Sequence, residues 1–216
     1  MSQVLNSGYA KSKLGFNGTR NLTWAQRPNA ARYQNEIIYI SDIGIGGSYW
    51  TSNGTYWSPL NGEVTLAQTG AATSVTGTTS ETVLATYTLP GGLMTPWSQL
   101  EIIVLWSFTN SANTKILRVR QSSVGGGISG DPYFYFAGTT TASVQNICVI
   151  RSNNSISAQK GFGIGTGGVS GLGALSASLS AFNRNLANAS DIVLTGQLAN
   201  SSETITVEAY SIVYRG

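Results

Sequence analysis

The sequence predicts an all-β fold: an antiparallel β-sandwich or jelly roll, preceded by a small β-hairpin module and an extended N-terminal arm. Three observations point there. Apolar residues recur with a period of two in short runs, most clearly at Leu100, Ile102, Val104, Trp106 and Phe108. About eight such runs follow residue 62 at regular spacing, separated by turn-forming residues, which is the pattern of a two-sheet β protein. No stretch holds a helical period, and no long internal repeat is present.

In chain order, residues 1–22 are polar and weakly patterned and read as an arm that orders against a partner. Residues 23–62 read as a small β module. Trp24–Arg32 is a short turn or helical segment broken by Pro28, and Glu36–Asp42 is a strand. Ile43–Gly47 is a connector. Tyr49–Trp57 is a hairpin, with Asn53-Gly54 as a type I′ turn that sets Trp50 opposite Trp57. A module this small is marginal alone and should lean on other protein.

Residues 63–216 read as the sandwich, opening on Glu63–Gln68, then a loop at Thr69–Ser80 and a strand at Thr82–Thr88. Leu100–Phe108 and Lys115–Gln121 are expected to form a central hairpin around Asn110–Asn113, with Trp106 opposite Leu117 and Val104 opposite Val119. Gln121–Asp131 is a loop, and strands follow at Pro132–Phe136, Ser143–Arg151 and Gly161–Ile164. A further strand sets Leu175, Ala177, Leu179 and Ala181 on a dry face. Asp191–Leu198 and Glu203–Tyr214 are expected to form a closing hairpin around Ala199–Ser202.

Composition narrows the chemistry. Charged residues are 10% of the chain, against about 25% in an average soluble protein, while 41% is hydrophobic. The pI of about 9.1 reflects a net charge of only +3, with no basic cluster beyond Arg118 and Arg120. Nucleic acid is therefore not an expected partner. Histidine is absent, which removes the usual neutral-pH base and the commonest zinc ligand. The nine carboxylates form no cluster along the chain. The glycine runs at 44–47 and 125–127 lack the following helix of a phosphate loop. The single cysteine, Cys148, lies in an apolar strand and reads as buried and inert. The expectation is a non-enzymatic protein with no metal and no cofactor. The amino-terminal residues lack the apolar core of a signal peptide, and no run approaches the length of a membrane span.

Recognition residues are sought among aromatics in loops. Trp97 follows Pro96, and Tyr133 and Tyr135 flank Phe134 with Asp131 nearby; aromatic faces beside polar groups suit a glycan. The alternative is that these rings cap the ends of the core. In the hairpin register above, Ile103 faces Arg120 and Leu105 faces Arg118 on the outward side, with Ile116 beside them. That half-apolar face requires cover, from a loop of the same chain or from another subunit.

The stretch Leu89–Met94 (LPGGLM), the pair Leu105-Trp106 and the segment Thr109–Arg120 (TNSANTKILRVR) resemble the carboxy-terminal β-sandwich of bacteriophage tail-fibre and related virion-appendage proteins. The resemblance covers most of 63–216 and, more loosely, 23–62. It implies a homotrimeric structural subunit of a virion, assembled in the bacterial cytoplasm. Residues 1–62 would attach to other virion proteins, and a host-surface glycan would be the receptor. A capsid decoration, head-fibre or collar protein is the alternative on the particle, and a carbohydrate-binding module is the alternative off it.

Overall fold

The computed structural model describes residues 19–166 and 180–216. The chain divides into two compact units, Met1–Val64 and Thr65–Gly216. Residues 1–18 of the expected arm lie outside the described residues, as do Leu175, Ala177 and Leu179. Ala181, assigned with them to a dry face, is exposed.

The smaller unit holds one four-stranded sheet in the order β1 (Asn21–Leu22), β2 (Ile37–Ile40), β3 (Ser48–Ser52) and β4 (Trp57–Pro59). The last residues of the expected arm are thus a strand, pairing parallel with β2. Single 3-10 turns at Trp24–Gln26 and Ala30–Arg32 flank Pro28, whose ring fixes φ and removes a donor, so no helix runs through. The Asn53-Gly54 hairpin forms in a different register. Ser52 pairs with Trp57, and Trp50 pairs with Pro59. Gly54 takes φ +87° but Asn53 does not adopt the positive φ that a type I′ turn requires. Instead the Asn53 Oδ1 accepts from the backbone N–H groups of Thr55 (2.9 Å) and Tyr56 (2.8 Å), widening the loop. The aromatic partner of Trp50 is Trp24, with ring centroids 5.0 Å apart.

The larger unit is a sandwich of two sheets. Its strands are β5 (Glu63–Thr69), β6 (Thr73–Val75), β7 (Thr82–Leu89), β8 (Gln99–Phe108), β9 (Lys115–Ser123), β10 (Asp131–Gly138), β11 (Ser143–Ser152), β12 (Gln159–Thr166), β13 (Ser180–Phe182), β14 (Ser190–Leu198) and β15 (Ile205–Arg215). β6 interrupts the stretch expected to be a loop at Thr69–Ser80. The larger sheet runs β13-β12-β11-β8-β15-β5, with β6 also on β15; the smaller runs β10-β9-β14-β7. The chain crosses between the sheets from β6 to β7, β7 to β8, β8 to β9, β10 to β11, β13 to β14 and β14 to β15, so that β15 lies between β5/β6 and β8, while β14 lies between β7 and β9. This is the interleaved Greek-key order of a jelly roll. Among the described residues the unit contains no α-helix.

The two expected hairpins are therefore not hairpins. β8 pairs with β11 and β15, whereas β9 pairs with β10 and β14. Similarly β14 pairs with β7 and β9, and β15 with β8. Each connection arches from one sheet to the other. The apolar faces agree as expected, because Leu100, Ile102, Val104, Trp106, Leu117 and Val119 are all buried. They meet across the core rather than along a ladder.

The two arches are laced together. Thr109 N–H donates to the Thr204 carbonyl at 3.1 Å, and Ala199 N–H to the Thr114 carbonyl at 3.0 Å. Between them Lys115 Nζ lies 3.1 Å from Glu203 Oε2, with both side chains almost wholly shielded. The ammonium also donates to the Asn113 carbonyl (2.9 Å), and Glu203 Oε1 accepts from Ser111 Oγ and from Asn113 Nδ2 at 2.7 Å. Hydrogen bonds from Ser111 and Asn113, with Lys115 alongside, hold the Glu203 carboxyl below its ordinary 4.5 despite desolvation. A carboxyl whose folded pKa is lowered contributes stability above its unfolded pKa and loses it as pH falls through the folded value. The denaturation midpoint is therefore expected to hold from pH 7 to about 5 and to fall below about 4. Glu203→Gln should flatten that acid limb; an unchanged limb would count against the tie.

Candidate functional site

The arch between β8 and β9 splits the expected interface in two. Ile103 and Leu105 face outward on the larger sheet, and Ile116, Arg118 and Arg120 face outward on the smaller one. The five residues do not form one surface. The arginine half is already occupied by its own chain. Glu81, just ahead of β7, receives Arg120 Nε on Oε1 at 2.8 Å and Arg118 Nη1 on Oε2 at 3.0 Å. Thr195 Oγ1 donates to the same carboxylate, and Arg120 Nη1 reaches the Gly130 carbonyl at 2.7 Å. Arg118 also lies over the Tyr135 ring, 5.3 Å from its centroid. Burial alone would raise the Glu81 carboxyl, but hydrogen bonds from Arg120 and Thr195 and the two guanidinium charges hold it below its ordinary value. Beneath this cover Val193 and Thr195, on the outward side of β14, are fully buried.

The half on the larger sheet has no comparable network among the described residues. Leu105 is 43% exposed, and Ile103 pairs across β11 with Ile147, also half-buried. Ile147 was not named from the sequence. The signal for it was present in Ser143–Arg151, which carries apolar residues on both faces.

The candidate recognition residues also separate. Trp97 is 66% exposed in the loop before β8, its Nε1 donating to Asn154 Oδ1 at 3.1 Å. Tyr135 is 58% exposed on the outward face of β10, opposite Arg118. Asp131 is held by Arg184 at 2.8 Å. Tyr133 is 2% exposed and is not a contact residue. The strand register slips between Pro132 and Phe134, and this bulge turns both Tyr133 and Phe134 into the core. Room for the two rings comes from β12, where a Cβ on Gly161 would sit 2.1 Å from Tyr133 Cδ1 and one on Gly163 2.1 Å from Phe134 Cδ2. Tyr133 stacks edge-on against Phe182, centroids 4.8 Å apart. Burial, then the nearby Asp131 charge, pushes its phenol up. The Tyr133 hydroxyl is buried with no hydrogen-bond partner among the described residues. Tyr133→Phe is therefore expected to leave stability unchanged or raise it by up to about 1 kcal/mol in urea denaturation, since it removes an unpaired polar group and keeps the ring. A clear loss would reveal a partner for the hydroxyl.

Among the described residues no group of three or more His, Cys, Asp or Glu side chains is placed to hold a metal ion. Cys148 is fully buried, and burial pushes its thiol up. No helix of the described residues is long and apolar enough to cross a membrane.

No protein-family model and no curated protein matches the chain. Solved structures to which it is similar include that of infectious bursal disease virus Gx strain, at 12% identity and a TM-score of 0.25, covering 82% of this chain and 42% of that one. Another is fructofuranosidase from Schwanniomyces occidentalis complexed with fructose, at 8% identity and a TM-score of 0.23, covering 83% and 47%. The chain spans less than half the length of either, and likeness at this level carries no argument about function.

Proposed function

We propose that this chain is a structural, non-enzymatic subunit of a bacteriophage virion: a homotrimeric tail-fibre or appendage protein that takes part in attachment to the host surface. Residues 1–62 serve in joining it to other virion proteins. The observation that carries the reading is the apolar strip on the outward face of the larger sheet, where Leu105 is exposed and Ile103 and Ile147 are half-buried. On the smaller sheet the Glu81 network covers Val193 and Thr195, at the middle of the outer face, from within the chain. The larger sheet is left for a second copy to cover. The motifs at Leu89–Met94 and Thr109–Arg120 support the virion assignment by resemblance. Three modest sites on one rigid trimer, repeated on a particle, would hold a host by avidity without tight single-site binding.

Light scattering on the purified full chain tests this. The expected mass is three times the 22.7 kDa of one subunit. Leu105→Asp places a charge in the strip and is expected to give a monomer with unchanged circular dichroism. A monomeric wild-type protein would overturn the trimer.

A further inference from the structure

Six residues along β8 from Leu105, about 20 Å away, the same outward face ends in a different surface. There β11 and β12 enclose a concavity of about 320 Å³ lined by Val149, Arg151, Ser152, Asn153, Lys160 and Phe162, with Gly161 completing the wall. Val149 pairs with Phe162 and forms an apolar floor. Arg151 pairs directly with Lys160, and both are exposed. Like charges opposite one another across a ladder are destabilising. Among the described residues of this unit the other basic side chains, Lys115, Arg118, Arg120, Arg184 and Arg215, each face a carboxylate. Arg151 and Lys160 face none.

One further feature lies beside this concavity. Trp97 is pinned at the rim: Ser152 N–H donates to the Ser98 carbonyl at 3.0 Å, and the Trp97 indole N–H is held by Asn154, the residue after Asn153. Asn154 takes a left-handed φ of +54°, a region in which Asn is enriched. The indole ring itself remains 66% exposed.

We propose that this concavity is a binding site for an acidic saccharide, a sugar unit bearing a carboxylate. The carboxylate takes the paired N–H donors of the Arg151 guanidinium, with the Lys160 ammonium as the second charge. The apolar face of the ring lies on Val149 and Phe162, and Trp97 flanks the next unit of the chain. The exposed Asn153 is left for a sugar hydroxyl. The bound anion also relieves the repulsion between the two cations. This deepens the attachment reading and rests on it only for its biological meaning, since the site lies within one subunit.

The test is titration of the full chain with trigalacturonic acid and, separately, with neutral maltotriose, followed by calorimetry and by tryptophan fluorescence. Trigalacturonic acid is expected to bind at least about tenfold more tightly than maltotriose, with affinity falling as salt rises. Arg151→Gln with Lys160→Gln is expected to abolish that preference while the melting temperature stays level or rises. Trp97→Ala should weaken binding, and Tyr135→Ala should leave it unchanged. Equal binding of the two sugars, no binding of either, or an acidic preference that survives the double substitution would each overturn the site. None of these results alters the solution mass, so the site and the trimer fail separately.

Discussion

Trp106→Ala is expected to destabilise the sandwich by about 3–5 kcal/mol, the usual cost of deleting a large aromatic from a packed core. Trp106 is 1% exposed at the middle of the larger sheet, between Val144 on β11 and Val207 on β15. Its indole N–H donates to the Oδ1 of Asn146, which is itself fully buried and whose Nδ2 has no partner among the described residues. Truncation therefore opens a cavity and strips a buried carboxamide of its remaining bond. Trp106→Phe separates the two effects. It keeps most of the volume and should cost about 1–3 kcal/mol, the penalty of the orphaned amide. Chemical denaturation followed by circular dichroism reads both variants. A shift under about 1 kcal/mol for the alanine variant would mean that the site collapses or hydrates readily, contrary to the burial seen here.

Trp50→Ala is expected to unfold the smaller unit and leave the sandwich intact. Trp50 is fully buried, pairs with the buried Ile38 on β2, stacks against Trp24 and donates its indole N–H to Ser48 Oγ at 2.8 Å. A unit of this size has little stability to lose, and about 3–5 kcal/mol is comparable with all of it. Amide hydrogen exchange should show residues 23–62 losing protection while residues 65–216 keep theirs. If residues 1–62 join the protein to the virion, particles should also lose the variant while it stays soluble and folded elsewhere. Retained protection in β2 and β3 would contradict the first part, and normal incorporation of an unfolded unit the second.

The proposed recognition surface was legible in the sequence only in part. Trp97 stands out because an indole beside Pro96, in a loop, has nowhere local to bury. Arg151 and Lys160 are nine residues apart in the chain and appear scattered until the β11–β12 register sets them opposite each other. Glu81 is 39 residues from Arg120 and 114 from Thr195, so the cover over the middle of the smaller sheet's outer face left no local trace. Tyr133 misled because one bulge at Pro132–Phe134 sends two neighbouring rings, Tyr133 and Phe134, inward together, which the alternation of an unbroken strand does not allow.

By itself the sequence determined that the chain is all β, where most strands lie and which of their side chains are buried. Those properties follow from a period of two within each strand, which depends only on residues close in the chain. Only the tertiary structure decided which strands pair. Trp106 and Leu117 point into one core whether β8 and β9 lie side by side or face each other, and a six-residue connection suits either arrangement. The choice is made by contacts distant in sequence: β11 and β15 take both edges of β8, β10 and β14 take both edges of β9, and the buried Lys115–Glu203 pair binds one arch to the other.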